Sequence, residues 1–130
     1  MRLLLDTHIL LWWATADRRL PKTLAKVLTS AENDIAVSAA SIWEIVIKRM
    51  LGRIEVDVDE LLSSSIADGL TELPIRFAHA RKLELLPRHH DDPFDRILIA
   101  QSISEGRRLV TTDRAILDYS GLAGFDPLAG

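Results

Sequence analysis

Four carboxylates stand where an acid serves either as a helix cap or as a metal ligand. Asp6 ends the apolar run Leu3-Leu4-Leu5 and is followed by Thr7 and His8. Glu44 is the only charged residue between Ile35 and Lys48. Asp95 closes the stretch Asp92-Pro93-Phe94-Asp95, and Asp113 follows Leu109-Val110-Thr111-Thr112. Each has an ordinary structural reading. Asp is a favoured N-cap, which suits Asp6, Asp92 and Asp113 alike. Pro93 fits the first helical position, and an acid in the first turn complements the helix dipole. Ser41-x-x-Glu44 has capping-box spacing, and Glu44 with Lys48 is a favourable i,i+4 pair. The box is weakened because Ser38, directly after a strand, is the expected helix start.

The chemical reading is collective. Acids at strand ends and helix starts meet where the layers of an α/β fold open, and ligands bind outside the carboxyl ends of parallel strands. Carboxylates within ~4 Å repel by about 4 kcal/mol per pair at an effective dielectric of 20, so a cation must offset them. With no Cys and four scattered His, hard oxygen donors favour Mg²⁺, with Mn²⁺ as the alternative, over Zn²⁺. Carboxylate-held Mg²⁺ most often serves phosphoryl chemistry. Asp92 and Asp95 lie three apart and share a helical face. Asp95 is taken as the ligand and Asp92 as second choice.

The elements that must position these acids follow from patterning. Arg2 to Leu5 reads as a buried parallel strand, central in its sheet, because such strands are covered on both faces. Ile9 to Ala14 predicts a short buried helix. Pro21 starts a helix over 22–31 with a Leu24, Val27, Leu28 and Ala31 stripe. Ile35 to Ser38 is a second strand and 39–51 a helix ended by Gly52. A helix over 58–67 carries Leu61, Leu62 and Ile66 on one face. A strand over 70–75 precedes a helix through Phe77, Ala78, Ala80 and Leu83. A polar loop over 86–93 delivers a helix that runs from Phe94 to near Gly106. A strand at 108–113, one helical turn at 115–117 and a final short strand at 122–125 complete the chain. This alternation predicts a three-layer α/β/α sandwich with a largely parallel central sheet, folded as one domain over residues 1–130.

Composition narrows the class. A chain of 130 residues buries roughly two thirds of its unfolded surface without a metal or disulfide staple. A formal charge of −3 excludes nucleic-acid binding by bulk charge and requires local basic patches. The candidates are Lys48-Arg49 with Arg53, Arg81-Lys82 with Arg88, and Arg107-Arg108, each also readable as a solvated face. No run approaches the ~18 apolar residues of a membrane helix, so the expectation is a soluble, cytoplasmic protein without membrane contact.

Taken in order, Leu5-Asp6-Thr7-His8, then Val37-Ser38 leading to Trp43-Glu44-Ile45, then His90-Asp91-Asp92-Pro93-Phe94-Asp95-Arg96, and Leu109-Val110-Thr111-Thr112-Asp113 resemble the motifs of PIN-domain ribonucleases. The likeness is closest to the VapC-like toxins of bacterial toxin-antitoxin pairs and covers essentially the whole chain. It implies a Mg²⁺-dependent endoribonuclease acting on RNA, a homodimer, and a cognate antitoxin in the active-site groove. By position it makes Asp6, Glu44 and Asp95 the core ligands and Asp113 the fourth acid. Thr7 is expected to hold Asp6 or a water through its hydroxyl. His8, His89 and His90 read as loop or surface residues within reach of a phosphate.

Rival readings remain open at this point. A dehalogenase-like phosphatase needs a second Asp two residues after the first, where this chain has His8. A PIN nuclease of RNA processing without an antitoxin and a non-catalytic interaction module fit the same pattern. Adjacent indoles at Trp12 and Trp13 cannot both be satisfied inside one short helix, so one is expected to line an interface.

Overall fold

A computed structural model describes residues 1–130. Strand β1 (Arg2–Leu5) sits between β2 (Asp34–Ser38) and β4 (Arg108–Val110), and β3 (Thr71–Leu73) forms the edge beyond β2, all parallel. The register pairs Leu3 with Ile35 and Arg108, and Leu4 with Ala36 and Leu109. Alternation along these short strands feeds both faces at once. Leu3, Leu5, Ile35, Val37 and Val110 pack with Ile9 and Leu10 of α1 (Thr7–Ala14), Leu24 and Leu28 of α2 (Lys22–Thr29) and Leu61 of α4 (Val58–Ala67). Leu4, Ala36 and Leu109 pack on the other side with Leu98, Ile99 and Ala100 of α6 (Pro93–Glu105) and Ile116 of α7 (Arg114–Leu117). Helix α3 (Ala39–Met50) follows β2, and α5 (Phe77–Lys82) runs through a 3-10 turn (Leu83–Leu85) into the loop before α6. This is the expected α/β/α sandwich with a parallel sheet and β1 at its centre.

Some expected elements change. The final strand is not at 122–125. The chain there is turn, and its one sheet contact is an isolated bridge from Val110 to Leu128. Helix α2 stops at Thr29 because Ser30 turns extended, and Pro21 occupies the cap position before the helix. Helix α1 is buried only in its first turn: Trp12 and Trp13 are both half-buried, and the Arg19 guanidinium lies 5.3 Å from the Trp12 ring centroid. The Leu61, Leu62, Ile66 stripe divides, since Leu61 is buried while Ile66 is 76% exposed beside the β3 edge. No helix is long and apolar enough to cross a membrane.

Candidate active site

The carboxyl ends of β1, β2 and β4 and the amino ends of α1, α3, α6 and α7 meet along one edge. Asp6 lies between β1 and α1, and its backbone N–H donates to Val110 O (3.0 Å), extending the ladder past the strand. It occupies the N-cap position of α1, yet its side chain caps nothing. Asp6 Oδ2 instead accepts from Thr111 Oγ1 at 2.9 Å. Thr111 is fixed in turn, because its hydroxyl accepts the Asp113 N–H (3.0 Å). The carboxyl is 2% exposed. Burial raises its pKa to about 6, against the Thr111 hydrogen bond, His8 and the Thr7 N–H, while the Asp113 charge adds to the rise.

Asp95, in the first turn of α6, is also buried. Its Oδ2 accepts from His90 Nε2 at 2.6 Å. Burial is the main force raising its pKa to about 7. The His90 bond opposes the rise, and the charges of Asp92, Asp6 and Asp113 add to it. His90 is raised correspondingly, chiefly by Asp95. Asp92 does cap α6, its Oδ1 accepting from Phe94 N (2.9 Å) and Asp95 N (3.2 Å). Even so, His90, Asp92 and Asp95 offer donor atoms within 4.8 Å of one another. Asp113 caps α7 through the Ala115 N–H (2.9 Å).

Glu44 faces inward from α3 and is 5% exposed. Its Oε2 binds Lys48 Nζ at 2.8 Å, so the i,i+4 pair forms. Its buried Oε1 has no partner. Ser38, not Ser41, caps α3, its Oγ accepting the Ala40 N–H (3.0 Å). That frees Ser41 Oγ to accept from Thr7 Oγ1 (3.1 Å), tying α1 to α3.

One expectation needs correction. Thr7 does not hold Asp6 through its hydroxyl, which is spent on Ser41; Thr111 does, because it follows the neighbouring strand β4 in register with Asp6. His90 lies in the loop before α6, as expected, and is bonded there to Asp95. His8 and His89 are exposed as expected, with His89 packed edge-on to Tyr119 at 5.0 Å. Sequence reasoning also passed over Arg96. Its Nη1 donates to Pro87 O, His90 O and Tyr119 Oη, and its Nη2 to Leu83 O and Leu86 O. A guanidinium caged by neutral oxygens pins the loop that carries His90 and Asp92. Among the basic patches, Arg107-Arg108 is no free surface: Arg107 is buried against Asp34, and Arg108 binds Asp126 and nearby carbonyls.

Comparison with known proteins fixes the relationship. A family model described as the PIN domain matches residues 3–122. The chain belongs to the PIN-domain family. Within it, this PIN domain is 30% identical over 118 residues to Ribonuclease VapC22 of Mycobacterium tuberculosis, covering 89% of this chain and 90% of the relative, so it is VapC-like. Solved structures share the fold. One is VapBC2 from Rickettsia felis bound to a DNA fragment from their promoter, with a TM-score of 0.71 at 14% identity and 98% of each chain covered. Another is VapBC-5 from Mycobacterium tuberculosis, with a TM-score of 0.65 at 19% identity, covering 98% of this chain and 97% of that one. A toxin-antitoxin complex from Klebsiella pneumoniae has a TM-score of 0.61 at 20% identity, with 95% of each chain covered.

The edge of this PIN domain is therefore rich in hard oxygen donors and short of cations. Asp6 and Asp95 are buried at the expense of their charged forms, and Glu44 keeps an oxygen without a partner. A divalent cation fits those needs, since carboxylate oxygens are the donors Mg²⁺ and Mn²⁺ prefer.

Proposed function

We propose that this chain is a metal-dependent endoribonuclease, one nuclease domain over residues 1–130, and the toxin member of a cytoplasmic toxin-antitoxin pair. The observation that carries this reading is Asp6: it occupies a cap position without capping and is buried on a Thr111 hydroxyl among other acids. An acid kept for helix stability would accept the amide of the second or third helical residue, and the Asp6 side chain makes neither bond. Support for the activity and the antitoxin comes from the VapC22 relative and from the VapBC complexes that share the fold. A homodimer is part of the proposal, with the half-buried Trp12 and Trp13 face as its contact.

In this reading Asp6, Glu44 and Asp95 hold Mg²⁺ or Mn²⁺, Asp113 is the fourth acid, and Asp92 adds the oxygen its cap leaves over. When bound, the ion supplies Lewis-acid neutralisation of phosphodiester oxygens and acidification of a water. The chain's own residues prepare the edge. Thr111 orients the Asp6 carboxylate, and the Thr7 to Ser41 bond ties α1, which follows Asp6, to α3, which carries Glu44. His90 Nε2 holds a proton against Asp95 Oδ2, and Lys48 Nζ balances Glu44. Arg96 holds the 83–90 segment so that His90 and Asp92 face the acids.

The test is hydrolysis of a structured RNA by the purified chain with Mg²⁺, with excess EDTA, and with an Asp6→Asn variant. Cleavage that needs Mg²⁺ and Asp6 supports the reading. Cleavage that survives EDTA contradicts it and points to histidine acid-base chemistry. Neutralisation by the product of an adjacent short reading frame tests the antitoxin.

A further inference from the structure

Beside the acids, α3 and the start of α6 build a feature that the hydrolytic reading leaves unused. Trp43 precedes Glu44, Phe94 precedes Asp95, and the two rings meet edge to face at 5.1 Å between centroids and 86° between planes. Trp43 is 58% exposed, although an indole is a large apolar surface to leave in water. A groove of about 220 Å³ opens next to the pair, with Phe94, Ile47, Lys48 and Arg53 on its walls together with Glu44 and Asp92 of the acidic edge. We propose that Trp43, steadied by Phe94, is a stacking platform for an unpaired base of the RNA strand, and that Arg53 takes the adjoining phosphate.

This rests on the ribonuclease reading and adds to it a side chain that holds a base beside the scissile bond. Aromatic rings accept any base face, which is how unpaired strands are held without sequence readout, while cations track the backbone. Charge complementarity favours the assignment. In a chain of net charge −3, the groove that runs to the acids has Lys48 paired with Glu44 and Arg53 without a carboxylate partner, so Arg53 is the cation left for the backbone that must pass there if the scissile phosphate is to reach the acids. A protein-docking core would be depleted of charge. Here charged side chains make up half the wall, namely Glu44, Lys48, Arg53 and Asp92. The edge-to-face contact with Phe94 fixes the indole plane and leaves its outer face open.

Steady-state hydrolysis of a short unpaired RNA, and of the same strand annealed into a duplex, tests the proposal in the wild type, Trp43→Leu and Trp43→Phe. The expected result is a KM for the unpaired strand raised roughly 5- to 150-fold by Trp43→Leu, the range that loss of one base stack implies. The value of kcat and the Mg²⁺-dependent rise in melting temperature should hold, and Trp43→Phe should restore most of the KM. Unpaired RNA should quench tryptophan fluorescence in the wild type and not in Trp43→Leu, since neither Trp12 nor Trp13 lines the groove. An unchanged KM in a protein that still hydrolyses RNA overturns the stacking site and leaves the ribonuclease reading intact. Quenching through Trp43 without hydrolysis does the reverse. A changed sedimentation coefficient for Trp43→Leu makes the indole a self-association contact and overturns the proposal.

Discussion

The two ends of the sheet bury charge on opposite terms. At the amino end, Arg107 lies inside the fold with its Nη1 on Asp34 Oδ1, Asp34 O and Leu3 O and its Nη2 on Asp34 Oδ2, so the cation has a carboxylate and two carbonyls. Only its Nε lacks a partner. At the carboxyl end, Asp6 lies near His8; Asp92, Asp95 and Asp113 lie near His90; and Glu44 pairs with Lys48. The first arrangement neutralises its charge within the fold, although one donor stays unpaired. The second leaves Glu44 Oε1 without a partner and raises Asp6 and Asp95 well above the ordinary carboxylate range, and perturbed acids of this kind mark candidate functional sites. Burial alone does not separate a structural charge from a working one; the completeness of its neutralisation does.

That contrast can be broken by exchange of roles. The largest effect is expected at Asp6: replacement by Asn should lower Mg²⁺-dependent RNA hydrolysis by more than the roughly 100-fold that marks the upper end for outer-shell residues. Metal-free stability, read from urea melts, should stay level or rise, because repulsion is relieved. Arg107→Met should do the opposite. It strands Asp34 and two carbonyls, so about 1.5–3 kcal/mol of stability should disappear while the metal-dependent melting shift persists. A variant pair behaving the other way round would dissolve the distinction between the two ends.

Acidity sharpens it next. Asp6 and Asp95 have folded pKa values raised to about 6 and about 7 from 3.8. The native metal-free protein therefore binds more protons than the unfolded chain between about pH 4 and pH 7. Their penalty is absent below the unfolded value and complete above the folded ones, so stability from these groups rises as pH falls through that window. Melts at pH 5 and pH 8 should show it, and Asp6→Asn with Asp95→Asn should flatten the difference. A wild-type protein that loses stability through these two acids on acidification would contradict the burial assigned to them. The smallest effect belongs to Asp92, whose capping bonds are worth about 0.5–2 kcal/mol on replacement by Ala, with hydrolysis reduced less than in Asp6→Asn.

Much of this was legible in the sequence. Leu3-Leu4-Leu5 announced a central strand because both faces of a parallel strand are apolar, and Asp92-Pro93 marked the start of α6 to within one residue. The acids were visible for the same reason, since each ends an apolar run or interrupts one. What was hidden depends on neighbours far along the chain. Thr111 reaches Asp6 only through β1–β4 register, so Thr7, its neighbour in sequence, looked the better partner. Arg96 finds backbone carbonyls, which leave no trace in side-chain patterning. The last strand failed because the 122–125 segment turns at Gly124, and only Leu128 meets β4. The single-domain, dimer and ligand assignments remain part of the proposal, with Asp6 as their hinge.

Denaturant melts of the wild type and Asp6→Ala, each with and without Mg²⁺, bear most directly on that hinge. An ion bound only to the native state at 100 times its dissociation constant adds about 2.7 kcal/mol. The account predicts that the wild type gains this, and that Asp6→Ala gains little while being at least as stable without metal. An Asp6→Ala protein that is weaker without metal and gains as much as the wild type from Mg²⁺ would make Asp6 a helix cap and contradict the account.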